Sequence, residues 1–419
     1  MPKLNALENT GHYSIQEQCS LGQIENKLAP DNKPPVVTLP RSPFLTDKAI
    51  QNRWAIIDDD ALQEVLLDPA TYKQRKAYSK NIENFIGSVK MPLGVAGPLR
   101  VNGLFAKDDY LVPLATTEAA LVASYHRGCQ LVTASGGASA MLINEGVTRT
   151  PAFMFDNLAM AGQFVGWATS QYDTFKSLAE STTRHGKLKD ISITIESNQV
   201  FLVFEFLTGD ASGQNMVTIA TNAVFEYILK HSPMTPNHAI LDGNLSGDKK
   251  ANAHTMRSVR GKKVSAEVHI SREMVKKYLH TNPEDMVKFG QITTSGALLS
   301  GSIGVNAHFA NALAALYIAC GQDAACVAES AVGMSRMSVK EDGSLYASVT
   351  LPNLMLGTVG GGTGLPSQKA CLDIMGLSGT GKAKALAEVC ASLCLAGELS
   401  IVGAFCAGHF TKAHSKLSR

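Results

Sequence analysis

The most apolar stretch of this chain, residues 296–331, reads GALLSGSIGVNAHFANALAALYIACGQDAACVAESA and carries Asn306, His308, Asn311 and Asp323 inside it. No proline interrupts it, and Ala and Leu dominate residues 307–320, a pattern that predicts a long helix. His308 and Asn311 stand three residues apart and share a face of that helix. A second apolar run, 385–408, contains Glu388 and Glu398. Neither run is an unbroken apolar span of about 20 residues, so both predict buried core helices and not membrane spans. Polar groups in such elements need partners. Asp323 is therefore either a satisfied residue capping whatever follows Gly321, or a carboxyl of tuned pKa beside a substrate. The pattern alone leaves both open.

Elsewhere the patterning is more mixed. Residues 1–45 are polar and dotted with Pro30, Pro34, Pro35, Pro40 and Pro43, which predicts an arm. Residues 58–78 are charged and helix-prone, and 83–103 are punctuated by Gly and Pro into turns and short extended pieces. TTEAALVASYHRGCQLV (116–132) predicts a helix capped by Thr116 or Thr117, with Glu118 in its first turn. An amphipathic helix at 157–185, strands at 190–196 and 199–207 joined at Asn198, and a helix at 216–231 give an α-β-β-α order. The fold class is thus α+β, in four pieces. Residues 1–86 form an arm and small helical region, and 87–150 the first part of a large domain. Residues 151–241 form an inserted α+β unit, and 242–419 hold a polar loop, the rest of the large domain and a C-terminal tail.

The length of 419 residues allows two or three domains, and 45% apolar content is ordinary for a globular protein. A formal charge of +2 argues against general affinity for nucleic acid. The eight cysteines are scattered without a CxxC pair, which fits a reducing compartment, and the N-terminus has no apolar signal core.

Two glycine-rich segments imitate nucleotide loops. GLSGTGKA (376–383) has the P-loop spacing, but Ala383 replaces the hydroxyl that would hold Mg²⁺. GTVGGGTG (357–364) lacks the Gly-x-Gly-x-x-Gly spacing, and Pro366 opposes a helix opening directly after it. No His/Cys set has zinc spacing and no Gly-x-Ser-x-Gly elbow occurs, so no metal is expected. Glu118 before an apolar run, Asp248-Lys249-Lys250 in a Gly-rich loop and His414 in a polar tail are each ordinary when taken singly.

Their order along the chain is not ordinary. ENFIGSVKMPLGVAGPL (83–99), TTEAALVASYHRG (116–128), GDASGQNM (209–216), GDKK (247–250), GSIGVNAHFAN (301–311), GQDAA (321–325), GTVGGGT (357–363) and GHFTKAH (408–414) resemble, in sequence order, the motifs of 3-hydroxy-3-methylglutaryl-CoA (HMG-CoA) reductases, of the class I type. The resemblance covers nearly all of the chain except the N-terminal arm. It implies a large domain around a long central helix, an inserted ferredoxin-like dinucleotide-binding domain, and a homodimer or tetramer with active sites between subunits. It implies reduction of HMG-CoA to mevalonate and CoA by two hydride transfers from NADPH. The eukaryotic membrane anchor is not matched, so a soluble, cytoplasmic enzyme is expected.

The resemblance also assigns roles. Lys249 would supply the cation that stabilises the oxyanion, and Glu118 would donate a proton to the carbonyl oxygen. Asp323 would lie between Lys249 and Glu118 and keep Glu118 protonated. His414 would protonate the departing thiolate. Arg149, Asp248, Lys250, Asn311 and His308 match positions around the HMG group, with His308 more an orienter than a catalyst, and Ser124 and Arg127 match CoA contacts. Thr183 and Arg184 match a pair that grips the 2′-phosphate of NADPH. Asp210, Gly213, Asn215 and Gly361 match cofactor-binding positions. Ser212 and Gln214 replace apolar residues of the family's cofactor loop, Asp242 replaces a serine that touches HMG, and Gln291 replaces a lysine. These departures bear on affinity and cofactor preference more than on reaction type. They leave room for an NADH-preferring or mevalonate-oxidising enzyme, or a catalytically weak CoA-ester binding protein.

Overall fold

The structure is a computed structural model that describes residues 44–408 without a break, together with 28–30, 33–35 and 37–39. The chain divides into two compact units, one of residues 1–68 and 83–86 and the other of 69–82 and 87–419. In the first unit, helix α1 (Asp47–Ile57) is capped by the Thr46 hydroxyl, which accepts from the Ala49 amide, and α2 (Asp60–Leu66) by Asp59, which accepts from Leu62. Arg53 is buried there because its guanidinium finds backbone acceptors, donating to the Phe85 carbonyl at 3.1 Å and the Phe44 carbonyl at 3.3 Å. Trp54 Nε1 donates to the Ile86 carbonyl at 2.9 Å.

The second unit is a mixed layer of helices and a largely antiparallel sheet, in agreement with the α+β reading. Strands β1 (Leu93–Gly103) and β2 (Lys107–Ala115) pair antiparallel and lead to helix α3 (Leu121–Ala134). Strand β3 (Ala138–Arg149) is the seam of the sheet. Its first part pairs with β8 (Gly261–Ile270), and its last three residues, Val147–Arg149, pair with β6 (Gln199–Leu207). Between them runs β4 (Ala152–Met154), α4 (Leu158–Ser170), α5 (Tyr172–Ser181), β5 (Lys187–Glu196), β6, α6 (Gln214–His231) and β7 (His238–Ile240), with the strands in spatial order β7-β4-β6-β5, all antiparallel. The hairpin expected at Asn198 is present, with Ser197 at φ 55°. The expected single helix at 157–185 is two, because the chain breaks at Gln171.

Past β8 come α7 (Pro283–Leu299), α8 (Phe309–Ala319), β9 (Met334–Val339), β10 (Leu345–Leu354) and α9 (Ala383–Cys406). The long helix expected across 307–320 is the eleven-residue α8, which Gly321, at φ 67°, ends at one side and the 300–308 loop ends at the other. The long buried helix is instead α9, 24 residues with nearly every side chain buried. It is long and apolar enough to cross a membrane, but 83% of its most apolar window is buried inside the protein. A helix apolar all round belongs in the centre of a core.

Its two buried acids explain how it tolerates them. Glu388 accepts from the Phe105 and Ala106 amides at 2.8 Å each and from Leu104 at 3.2 Å, which fixes the β1–β2 turn. Glu398 accepts from the Ala307 and His308 amides at 2.9 Å each, which fixes the start of α8. Replacing Glu388 by Ala strands those amides in the core, so Glu388→Ala should lower the unfolding free energy by about 3 kcal/mol. Glu388→Gln, which keeps one acceptor, should cost clearly less, and chemical denaturation of the three proteins measures both.

Candidate functional site

Three loops of the second unit meet at a cleft of about 560 Å³. They are the 211–216 segment that opens α6, the 321–323 segment after α8, and the 357–363 segment after β10, with Lys249 and Gln368 on the wall. They can approach only through bare backbone. A Cβ at Gly321 would lie 2.3 Å from the Gly362 carbonyl oxygen, and one at Gly357 would lie 2.5 Å from the Ser212 amide nitrogen. The glycines of 357–363 thus serve loop-to-loop packing, which needs no dinucleotide-fingerprint spacing. Gln322 ties two of the loops together, accepting from the Gly357 amide at 2.8 Å.

Asp323 stands at the mouth of this arrangement. It caps a short 3-10 turn, Ala324–Cys326, by accepting from the Ala325 amide at 3.0 Å, and it pairs with Lys249 Nζ at 2.9 Å. The capping reading left open by the sequence therefore holds, and the carboxyl is also charge-paired, although its side chain is 36% exposed and not deep in a helix. Burial alone would raise its pKa, but the Lys249 ammonium, the Ala325 amide and Gln214 outweigh it and hold the carboxyl below the usual range. Lys249 is raised in turn, chiefly by its hydrogen bond to Asp323.

Gln214, which the sequence marked only as a departure, is part of the site. Its amide donates to Cys326 Sγ at 2.9 Å and reaches Asp323 Oδ2 at 3.4 Å, so it joins the opening of α6 to the acid–lysine pair. Gly213, at φ 82°, packs its bare Cα against Thr208, and Asn215 is exposed beside it. Asp210 faces the other way. Its carboxylate accepts from the Gly381 amide at 2.8 Å and the Ala383 amide at 3.1 Å, at the start of α9. The segment that imitates a P-loop is thus an anion site already filled by the chain's own carboxylate. Gly361 is exposed on the rim. Thr183 accepts from the His185 and Gly186 amides, and Arg184 beside it is exposed with no ion-pair partner among the described residues.

The Lys249 loop is held from below by charge. Arg149, at the end of β3, pairs with Asp242 and reaches Asp248 at 3.3 Å. The buried Arg260 pairs with the other Asp248 oxygen and stands 2.9 Å from Glu329. Lys250 Nζ donates to the Asp248 carbonyl at 3.0 Å. Asp242 is therefore neutralised by Arg149, the pairing its position requires. Arg260 and Glu329 were not singled out by the sequence, which shows a lone basic and a lone acidic residue in ordinary surroundings.

Other candidates form a separate group. Glu118 is exposed and lies before α3, not in its first turn, because α3 begins at Leu121 after Ala120 takes φ 66°. The Thr116 hydroxyl accepts from its amide at 3.0 Å, and Asn311 donates to its carboxylate at 3.2 Å. Among the described residues of this one chain, neither Lys249 nor Asp323 contacts it. His308 stacks on Tyr125 with ring centroids 5.4 Å apart. Its Nδ1 lies 3.4 Å from Glu398, without the angles of a hydrogen bond. Ser124 and Arg127 both meet Ser400 of α9, at 2.9 Å between hydroxyls and 2.8 Å from the guanidinium to the carbonyl. His414 lies outside the described residues.

Comparison with known proteins gives a consistent answer. The family model of hydroxymethylglutaryl-coenzyme A reductase matches residues 49–419. The chain is 43% identical over 351 residues to the 3-hydroxy-3-methylglutaryl-coenzyme A reductase of Methanocaldococcus jannaschii, covering 83% of this chain and 86% of that one. It is 45% identical over 347 residues to that of Methanothermobacter thermautotrophicus, covering 82% and 86%. A solved structure of the class II enzyme of Streptococcus pneumoniae, bound to NADPH in open conformations, shares the fold with a TM-score of 0.63 at 20% identity, covering 85% of this chain and 96% of that one.

The Lys249–Asp323 pair makes a signed prediction. Its contribution to stability is lost only as pH falls through the lowered Asp323 value or rises through the raised Lys249 value, so the pair stays charged from about pH 5 to about pH 9. In Asp323→Asn, Lys249 should titrate at lower pH than in the wild type. The pH dependence of amine modification at Lys249, read by mass spectrometry, measures this; an unmoved titration would mean that the pair does not form in solution.

Proposed function

The chain belongs to the hydroxymethylglutaryl-coenzyme A reductase family, and we propose that it reduces HMG-CoA to mevalonate and CoA with NADPH, in isoprenoid precursor synthesis. The observation that carries this reading is the half-exposed Lys249 ammonium, 2.9 Å from Asp323, on the wall of a cleft built from glycine backbone. Such a cleft admits a flat ring against bare peptide, and the exposed Arg184, without an ion-pair partner among the described residues, offers a cation for a 2′-phosphate. The bound nicotinamide would supply the hydride in each of two rounds.

The residues of the chain do the rest. As the thioester carbonyl carbon takes a hydride, its oxygen gains negative charge, and Lys249 is the fixed cation to meet it. Asp323 keeps that lysine charged and aimed. Protonation of the oxygen, the role we assign to Glu118, gives a hemithioacetal. Its hydroxyl proton then returns to Glu118 as the carbon–sulfur bond breaks, the thiolate takes a proton in the role assigned to His414, and an aldehyde remains. A second hydride and proton yield the alcohol, so two hydrides and two protons are consumed and one thiol is released. Asn311 and His308 would orient the acid end of the site, with Arg149, Asp248 and Lys250 near the HMG carboxylate, and Ser124 and Arg127 near CoA. Asp210, Gly213, Asn215, Gly361 and Thr183 complete the cofactor side, Asp210 by holding its loop to α9 and not by touching the ligand.

Several finer points belong to the same proposal. Residues 151–241 act as an inserted ferredoxin-like unit, which the order β7-β4-β6-β5 supports. GVAGPL (94–99) supports the class I type. The enzyme works as a homo-oligomer in which Glu118 of one copy meets Lys249 and Asp323 of another. Two observations support this: the clusters are separate within one chain, and Ile292, Leu298 and Leu299 of α7 are exposed. Free cysteines at all seven described positions support a cytoplasmic setting.

Coupled spectrophotometry tests the activity. Purified protein should oxidise NADPH only when HMG-CoA is present, and Lys249→Ala should lower kcat by about a thousandfold with the fold retained. Arg184→Ala should raise the KM for NADPH far more than that for NADH. A chain that binds CoA esters without turnover is the reading favoured by the Asp242–Arg149 pair, and tight HMG-CoA binding with no cofactor oxidation in either direction would establish it.

A further inference from the structure

Lys249 has φ 57°, a left-handed conformation that a residue with a Cβ adopts only where its surroundings enforce it. Gly247, at φ 70°, permits the turn but does not hold it. What holds it lies underneath. The Asp248 carboxylate next to Lys249 is gripped by Arg149 and Arg260. Arg260 Nε stands 2.9 Å from Glu329, and both side chains are sealed from solvent. Glu329 also faces the Lys249 backbone amide and the Cys326 thiol. Cys326 meets Gln214, and Gln214 reaches Asp323, which returns to Lys249 Nζ. The contacts close a ring around the lysine, and the fully buried Glu329 joins its Arg260 side to its Cys326 side.

We propose that Glu329 is a positioning residue for the reaction: through Arg260 and the Lys249 amide it holds the lysine in the turn that aims its ammonium into the cleft. The proposal rests on the reading of Lys249 as the reacting cation. A buried carboxylate has a specific use here. It meets Arg260 and the amide with less than full hydrogen-bond geometry, so the grip is chiefly electrostatic and depends on the charge being present. Burial raises Glu329 to about 6, against the pull of Arg260, Cys326 and the Lys249 amide, with Asp248 adding to the rise. Tyr317 of α8, which also faces Glu329, is pushed well above its usual value by burial and stays neutral. The grip is therefore half lost at about pH 6, nearly complete a unit above it and largely gone a unit below.

The test uses the full-length enzyme and two variants, Glu329→Gln and Arg260→Lys, with thermal unfolding measured beside kinetics. Glu329→Gln should lose about tenfold in kcat at about pH 7.5 while its KM for NADPH and its melting temperature stay near wild type. Its kcat should also be flatter than the wild type's between about pH 5 and about pH 7, since the group that fades is gone. Arg260→Lys, which keeps the charge but not the fork, should show the same kcat loss. A folded Glu329→Gln with wild-type kcat would overturn the proposal. If that variant does not fold, the wild type still decides, because an unchanged kcat down to about pH 5 would overturn it equally. Activity in Lys249→Ala would instead remove the reading beneath it, so the two failures are distinct.

Discussion

A carboxylate taken out of water must be met by donors, and this molecule uses that requirement to fix its backbone. Glu388 and Glu398 sit in the long buried helix α9, yet each collects backbone amides from a distant turn. Asp210 does the same at the N-terminus of that helix, where the free amides and the dipole favour an anion. A central helix that only packed would leave the loops around it free. One that carries acids nails the β1–β2 turn and the start of α8 to a single rigid rod, and its own N-terminal amides hold Asp210 of the loop before α6.

The three loops around the cleft add a second constraint, of shape. Gly321 against Gly362 and Gly357 against Ser212 bring peptide planes closer than any Cβ allows. The result is a wall of backbone with few side chains, and the charged groups that do project into it, Lys249 and Asp323, stand out against an otherwise neutral surface. Position there is set by glycine contacts and charge is set by the pair, so each can be disturbed without the other.

This division explains what the sequence made legible. The strand pair around Asn198, the helix at 216–231 and the terminal apolar helix follow from periodicity, because each is decided by local pattern and burial. The long helix expected at 307–320 is shorter for a local reason too: Gly321 takes a left-handed turn that Ala-rich composition cannot reveal. Glu118 was placed in a helix that starts three residues later, since Ala120 adopts a positive φ no propensity predicts. Lys249 and Asp323 were legible only through the order of motifs, and the structure brings them together from loops 74 residues apart. Gln214 stood out only as a departure in the cofactor loop, and Arg260 and Glu329 carried no signal. Their meaning is purely one of contact, made when β8, α6 and the Cys326 turn pack against one another.

The charge around Arg149 follows from the same logic. Its guanidinium, nine-tenths buried, faces two carboxylates, Asp242 and Asp248, while Arg260 bridges Asp248 and Glu329. Three acids and two arginines leave this cluster with one negative charge to spare, which the neighbouring lysines offset. With a serine at 242, Arg149 would have a donor free for an incoming carboxylate. With Asp242, that carboxylate must displace a neighbour already in place, or turn to Lys250, which is exposed and, among the described residues, holds only a backbone carbonyl. Asp242 thus exchanges a free guanidinium donor for a more firmly held loop, and on the proposed reading the burden of capturing an acidic substrate would shift from a rigid fork to a flexible ammonium.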